Sequence, residues 1–451
     1  MQHEHTPKSC AVRLIETARQ LLSDPTFVSR HRQRPKDFIR KRTLIFSVVM
    51  LLILQKSLKS LQLRLHEFLA DWVQEGQPLS SATAGAFSHA RAKLLPEAFI
   101  ELNEKAVLAN FYGPEHAQAV ARWRGHRLLG IDSSLVRLPS SDELLKEFGE
   151  VQCSNQHGLQ DRYPEGRISV LYDLLNRLSL DGQLVGSAEG ETLLARAHWQ
   201  QVQAGDVLIT DRGYAGYRWF VDVRQQQAHF ICRCSRGSFK SAQELFVSDQ
   251  AGVSVVVELR APSDERAELR RLGLPVKLTV RFVTVRLLTG ELEVLATSLL
   301  DEQVYPTESF AEVYWHRWGI ETFYGRLKGR LDLENFTGET VAAVKQDFQA
   351  MLFLSNVESV VSAPAQAQLA QASLERKQPA QVNRAVSLHA LKYHLIELLA
   401  SDVPVEEVLV RLGQWLVHNP VSVRPNRQVP RRKPSAFRSY HHQRRVRKFV
   451  F

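Results

Sequence analysis

Near residue 125 the sequence changes its period, and that change constrains the fold more than any other feature. Upstream, segments such as VRLIETARQLL and LLILQKSLKSLQLRLHEFLADW carry apolar residues at three- and four-residue spacing, the mark of amphipathic helices. Downstream the apolar runs are short and bounded by turn residues. HRLLGIDSSLVRLP reads as a strand running into a turn, and ISVLYDLLNRLSLDGQLVGSAE as two strands around an Asp181-Gly182 turn. GDVLITDRGYAGYRWFVDVRQQ reads as a buried strand, a glycine-containing turn and a helix. Such alternation builds a mixed α/β sheet. Residues 228–300 read as an all-β insertion, clearest in VKLTVRFVTVRLLTGELEVLATSL. There the apolar residues hold even positions from Val276 to Phe282 and odd positions from Val283 to Leu287. A side-chain period of two then predicts a β-bulge or bend at 282–283, with a hairpin turn at Thr289-Gly290. A long helix is expected from about Glu308.

At 451 residues, with 44% hydrophobic and 24% charged, the chain reads as a globular protein of two or three domains. The first twenty residues show no apolar signal core. The strongest apolar run, Leu44 to Leu54, is far short of the about 20 residues a bilayer requires, so it reads as a buried core helix. No membrane partner is expected. Four cysteines are too few for a disulfide framework, and no second Cys/His pair completes a zinc site near Cys232 and Cys234. A cytoplasmic setting fits.

The net charge of +10 is localised. From Val421 to Phe451 there are ten Lys/Arg and no Asp or Glu, and the rest of the chain carries 48 of each sign. Prolines 425, 430 and 434 oppose a long helix there. A basic arm holding Arg431, Arg432, Lys433 and four aromatic residues suits a phosphate backbone. A second basic stretch, RHRQRPKDFIRKR, lies among the early helices. Ser80 or Ser81 is placed to cap a following helix whose exposed face carries Ser88, Arg91 and Lys93. Residues 1–120 therefore read either as a helical DNA-binding region or as a bundle packing on a catalytic core.

Asp132 and Asp211 each end an apolar run, and carboxylates at strand ends of an open sheet are well placed to share a site. Taken singly, each also suits a turn or a cap. The segment FAEVYWHRWGIETFYGRLKGRLDLENF says more. Counted from Glu321, Tyr314, Arg317 and Lys328 lie at −7, −4 and +7, which on a continuous helix puts all four in a stripe about 60° wide. Gly325 leaves room beside them, and Val313, Ile320, Phe323, Leu327 and Leu331 share an adjoining apolar face. A plain surface ion pair of Arg317 with Glu321 leaves the rest of the stripe unexplained. Asp161, Asp173, Glu189 and Glu191 fall in the intervening sheet region, Asp206 reads as a cap or solvated turn, and His157 as a surface or structural residue.

Tyr314, Arg317, Glu321 and Lys328 at this spacing resemble the Tyr-Arg-Glu-Lys signature of a large family of bacterial insertion-sequence DDE transposases. GIDSS around Asp132 and TDRGY around Asp211 look like that family's first two acidic motifs. AFSHARAKL, LENFTGETVAAVKQDFQA and the Arg-Pro end resemble other family stretches. The resemblance implies a ribonuclease H-like catalytic domain over residues 121–420 with the β-rich insertion near 228–300, and a basic arm over 421–451. It implies a cut-and-paste transposase in which Asp132, Asp211 and Glu321 hold two Mg²⁺ ions, or Mn²⁺. Tyr314, Arg317 and Lys328 would then contact phosphates of the cleaved end, with Arg212 and Arg91 as further DNA contacts. The partners expected are transposon-end and target DNA, bound by a homodimer at the nucleoid, with no small-molecule substrate. An inactive DNA-binding derivative and a metal-dependent nuclease without strand transfer stay open. Some relatives hold a flipped base with a Trp in the insertion. None lies between Trp219 and Trp315 here, so Phe230, Phe239, Phe246 and Phe282 are the substitutes.

Overall fold

The computed structural model describes residues 8–40, 43–57, 59–74, 81–154, 160–287, 290–375 and 378–423. Up to residue 120 the chain is helical. It runs through α1 (Cys10–Ser23), α2 (Pro25–His31), α3 (Phe46–Leu54), α4 (Leu61–Gln74), α5 (Ala84–Arg91) and α6 (Glu97–Leu102), and a π-helical stretch at Asn103–Leu108 leads into α7 (Ala109–Phe111). Ser9 caps α1 and Asp24 caps α2 through their side chains. The apolar run forms α3, buried at every position but one, as a core helix requires. No helix of the described residues is long and apolar enough to cross a membrane. The cap of α5 is Thr83, which accepts from the Ala86 N–H at 3.1 Å, rather than Ser81, and Ser80 lies outside the described residues.

The strands form one mixed sheet. β1 (Leu128–Arg137) is followed by α8 (Asp142–Phe148), β2 (Glu150–Ser154), β3 (Gln160–Asp173), β4 (Leu178–Gly186) and α9 (Glu191–Arg196). Next come β5 (Val207–Thr210), α10 (Tyr217–Gln225) and β6 (His229–Arg233). The order β4-β3-β1-β5-β6 is antiparallel across its first three strands and parallel from β1 to β6, while β2 pairs the first half of β3. The β3–β4 turn falls at residues 174–177, not at Asp181-Gly182. Asp173 closes it by accepting from the Leu175 and Asn176 N–H groups, with Arg177 at φ 59°. Asp181 and Gly182 sit inside β4. Asp181 bonds buried His198, and Gly182 lets Leu352 approach to where a Cβ would stand 2.3 Å away.

Beyond β6 the sheet continues through β9 (Leu292–Thr297), β8 (Lys277–Arg286) and β7 (Ser254–Arg260), all antiparallel. The block at 228–300 is therefore not all-β. It holds α11 (Lys240–Ser248) and α12 (Arg266–Arg271), and its first strand, β6, pairs in parallel with β5. β8 carries no bulge at 282–283, since its register with β7 and β9 runs unbroken through both residues. Its apolar phase flips because residues 280–285 are buried on both faces. Phe239, just before α11, packs on Phe282, and Phe310 of the next helix packs on Arg281. The β8–β9 hairpin is present, while Leu288 and Thr289 lie outside the described residues.

The helix expected from Glu308 is broken. α13 (Ser309–Trp315) and α14 (Trp318–Gly329) are joined by a tight turn in which Arg317 N–H reaches the Tyr314 carbonyl at 3.0 Å. α15 (Val341–Ala372) spans about 48 Å at 1.5 Å per residue. It is buried over most of its first two-thirds, because α3, α6 and β4 all pack on it. α16 (Arg384–Tyr393), α17 (Leu395–Ala400) and α18 (Val405–His418) close that layer, with β10 (Ala380–Val382) paired to β11 (Pro420–Ser422). One apolar core runs continuously from α1 through the sheet to α18.

Candidate functional site

Three elements bring the acidic residues together. β1 and β5 run parallel through the pair Gly130–Ile209 and then part. Two residues further along each strand stand Asp132 and Asp211, so the shared register brings them side by side where the sheet opens. β1 itself continues to Arg137 on the β3 side, so Asp132 lies within a strand rather than at its end. Asp211 does end its strand, and its carboxylate caps the following turn by accepting the Gly213 N–H at 2.9 Å. α14 lies across the same end of β1. Ile320 packs against Gly130, where a Cβ would meet it at 3.5 Å, and Tyr324 donates to the Asp132 carbonyl at 2.6 Å.

Glu321 faces this opening with 38% of its side chain exposed. Arg317 donates to it at 2.9 Å, so the i, i+4 pair exists, but the guanidinium is buried and rests on Trp318 at 4.3 Å. Lys328, half-buried, donates to the Leu135 carbonyl at 2.5 Å and ties α14 to β1. Tyr314 differs from expectation. The helix break turns it inward, leaving it 3% exposed and near Cys232, Arg233 and Glu293. Its hydroxyl has no acceptor among the described residues.

The electrostatics follow from this crowding. Burial pushes the Asp132 carboxyl up to about 6; the Ser133 N–H and Arg317 oppose the rise, and Asp211 and Glu321 add to it. Three acids act on Tyr214, because Glu191 reaches the site beside Asp132 and Asp211. Ser133 donates to Glu191 at 2.7 Å and Arg167 at 2.6 Å. A Cβ on Gly213 would lie 3.1 Å from the Asp211 carboxylate and 4.0 Å from that of Glu191. Tyr214 is buried with no acceptor for its hydroxyl among the described residues. Burial, followed by the charges of Asp132, Glu191 and Asp211, raises it well above its usual range. Glu191 was indistinct in the sequence. Its only signal is an acid opening a helix, where any carboxylate is favoured. In the described geometry no three His, Cys, Asp or Glu side chains stand close enough to share an ion.

Other expected contacts divide. Arg212 is exposed beside Asp211. Arg91 is not on an exposed face: it is 4% exposed and donates to Gln346, Thr337, the Ala343 carbonyl and Asp347 at 2.6–2.7 Å. Helical spacing shows which residues share its face but not that α15 covers that face, and an arginine so buried, with four of its five N–H groups committed, is not open to DNA. Asp206 does cap its turn, accepting the Gln203 N–H at 2.7 Å, but it is not solvated, since it forms a buried two-point ion pair with Arg127. Phe230 and Phe282 are wholly buried and cannot receive a base, whereas Phe239 and Phe246 are partly exposed. Arg431, Arg432, Lys433 and His157 lie outside the described residues.

Comparison with known sequences assigns the chain to a family. Residues 123–357 match the family described as Transposase DDE domain, and the chain belongs to that family. It is 26% identical over 230 residues to y4zB of Sinorhizobium fredii, named as a transposase, covering 49% of this chain and 57% of that one. It is 23% identical over 240 residues to the transposase InsG for insertion sequence element IS4 of Escherichia coli K12, covering 52% of each. The chain thus spans about half the length of these curated relatives. A solved piggyBac transposase synaptic complex with hairpin DNA aligns at 10% identity and a TM-score of 0.42, over 89% of this chain and 85% of that one.

Proposed function

We propose that this chain is an insertion-sequence DNA transposase that cuts transposon ends and joins their 3′-hydroxyls to target DNA. Asp132, Asp211 and Glu321 are its catalytic acids, and Tyr314, Arg317, Glu321 and Lys328 are its Tyr-Arg-Glu-Lys signature. The observation that carries this reading is the β1–β5 register, which brings Asp132 beside Asp211 under the helix of Glu321. The strand order β4-β3-β1-β5-β6 supports a ribonuclease H-like core, and the family match supports the reaction class.

Carboxylates are hard oxygen donors and suit Mg²⁺ or Mn²⁺. Burial is the main reason the Asp132 carboxyl is raised, and Asp211 and Glu321 add to it, so a bound cation there would offset charge that the fold itself disfavours. Asp132, Asp211 and Glu321 would hold two such ions. When bound, they would lower the pKa of the attacking water or 3′-hydroxyl and stabilise the leaving oxygen. The chain's own groups do the rest. Glu321 must release Arg317 to turn toward the aspartates, which frees the buried guanidinium for a phosphate at the same spot. Lys328 and exposed Arg212 flank the opening and offset the acids toward DNA. Tyr314 acts here by packing α13 against the sheet. Synapsis of two ends calls for a dimer on DNA.

Asp211→Ala should lower Mg²⁺-dependent cleavage of a duplex bearing the element's ends by roughly a thousandfold or more, while duplex binding in EDTA is retained. Full cleavage by this variant would remove the triad. Cleavage by the unaltered chain without joined products would leave a nuclease.

A further inference from the structure

Trp315 ends α13 with 58% of its surface exposed. It lines a surface cavity of about 370 Å³ between the start of α14, the β3–β4 turn and α16. The charged groups on the wall are Arg177, Arg326 and Arg384, and none of the lining residues is Asp or Glu. Behind the wall, Arg384 donates to buried Glu358 and to Ser362, both at 2.7 Å. Arg326 donates one N–H to the Tyr172 hydroxyl at 2.8 Å, and its buried Nε has no acceptor among the described residues. Arg177 projects from the turn at φ 59°.

One buried acid against three guanidiniums leaves the cavity short of negative charge. Guanidinium forks match phosphate oxygens, and an exposed indole beside them offers a face to a base. We propose that this cavity binds one nucleotide of a DNA strand, its phosphate against Arg177, Arg326 and Arg384 and its base or sugar against Trp315. Gly319, Thr322 and Arg326 lie about 100–160° around α14 from Glu321, so this strand segment is not the one at the acids. The site gives the helix of Glu321 a second hold on DNA. The DNA assignment rests on the function proposed above.

The test uses the full chain in EDTA, with a 30-base-pair duplex and with dTMP as probes. Arg177→Gln and Trp315→Ala alter exposed positions and should fold, as circular dichroism will verify. Arg177→Gln should weaken duplex binding about tenfold at low salt and lower the slope of log K against log salt by about 0.9. Trp315→Ala should weaken it roughly tenfold with the slope unchanged, because stacking releases no counterions. Arg177→Lys should restore the slope. Unchanged duplex affinity in both variants overturns the DNA assignment. If dTMP still binds the unaltered chain and is lost from Arg177→Gln, the cavity is a mononucleotide site instead. Failure of the Asp211→Ala cleavage test leaves these readouts untouched, so the two proposals fail separately.

Discussion

Asp132 shows how one residue records its surroundings. Its folded pKa of about 6 lies above the ordinary 3.8, so the sign of its effect on stability is fixed. Below about pH 4 the carboxyl is protonated folded or unfolded and has no cost. Between about 4 and 6 the unfolded chain sheds its proton first, and above 6 the folded state bears the whole penalty, at most about 3 kcal/mol. Asp132→Asn should therefore be more stable than the unaltered protein by about 1–3 kcal/mol at pH 7.5 in EDTA, and equal to it at pH 3.5. Urea denaturation at the two pH values reads this directly. A variant no more stable at pH 7.5 would mean that burial beside the other acids does not penalise the Asp132 carboxylate. Arg91 is the opposite lesson. A sequence lists its charge, but only α15 explains why that charge is interior and paired with Asp347.

At the scale of elements, close approach of a helix to the sheet does much of the positioning. Gly182 is a narrow point where α15 meets β4, since a Cβ there would intrude on Leu352 and Phe348, whereas a Cβ on Gly130 would crowd Leu174 of the β3–β4 turn and only touch Ile320 of α14. Gly182→Ala should destabilise the fold by about 1–3 kcal/mol through overpacking against Leu352 and Phe348. Thermal or urea unfolding would show it, and a neutral result would mean that α15 shifts freely on β4. The Asp-Gly pair misled the reading of the hairpin for a related reason. Turn chemistry is local, but Asp181 is held by His198, and the true turn is closed by Asp173. The phase flip in β8 likewise reports cover on both faces, which a period of two cannot distinguish from a bulge.

Among the described residues one main core joins the early helices, the sheet and the late helices around α15, with two small apolar clusters beside it. Excess charge lies at one end of the sequence. Removing residues 424–451 takes away ten Lys/Arg and no acid, leaving 48 of each sign. That truncation should weaken duplex binding and flatten its salt dependence without altering the melting temperature by more than a few degrees. An unchanged salt slope in a filter-binding titration would show that the arm does not bear on DNA.

Period and spacing alone established the helical start, the α/β middle and α3 as core, because burial leaves its mark every two or every 3.6 residues. The same local logic put Asp211 at a strand end and Glu321 on a helix with Arg317 one turn before it. The sequence had no means of fixing which helix covers which face. That choice covered Arg91, buried Asp206 against Arg127, and brought Glu191 from the start of α9 to the side of Asp211, while the break between α13 and α14 turned Tyr314 inward. It also left Trp315 exposed above three arginines. These are contacts between residues far apart in the chain. They depend on how layers stack, and the tertiary structure alone decides that.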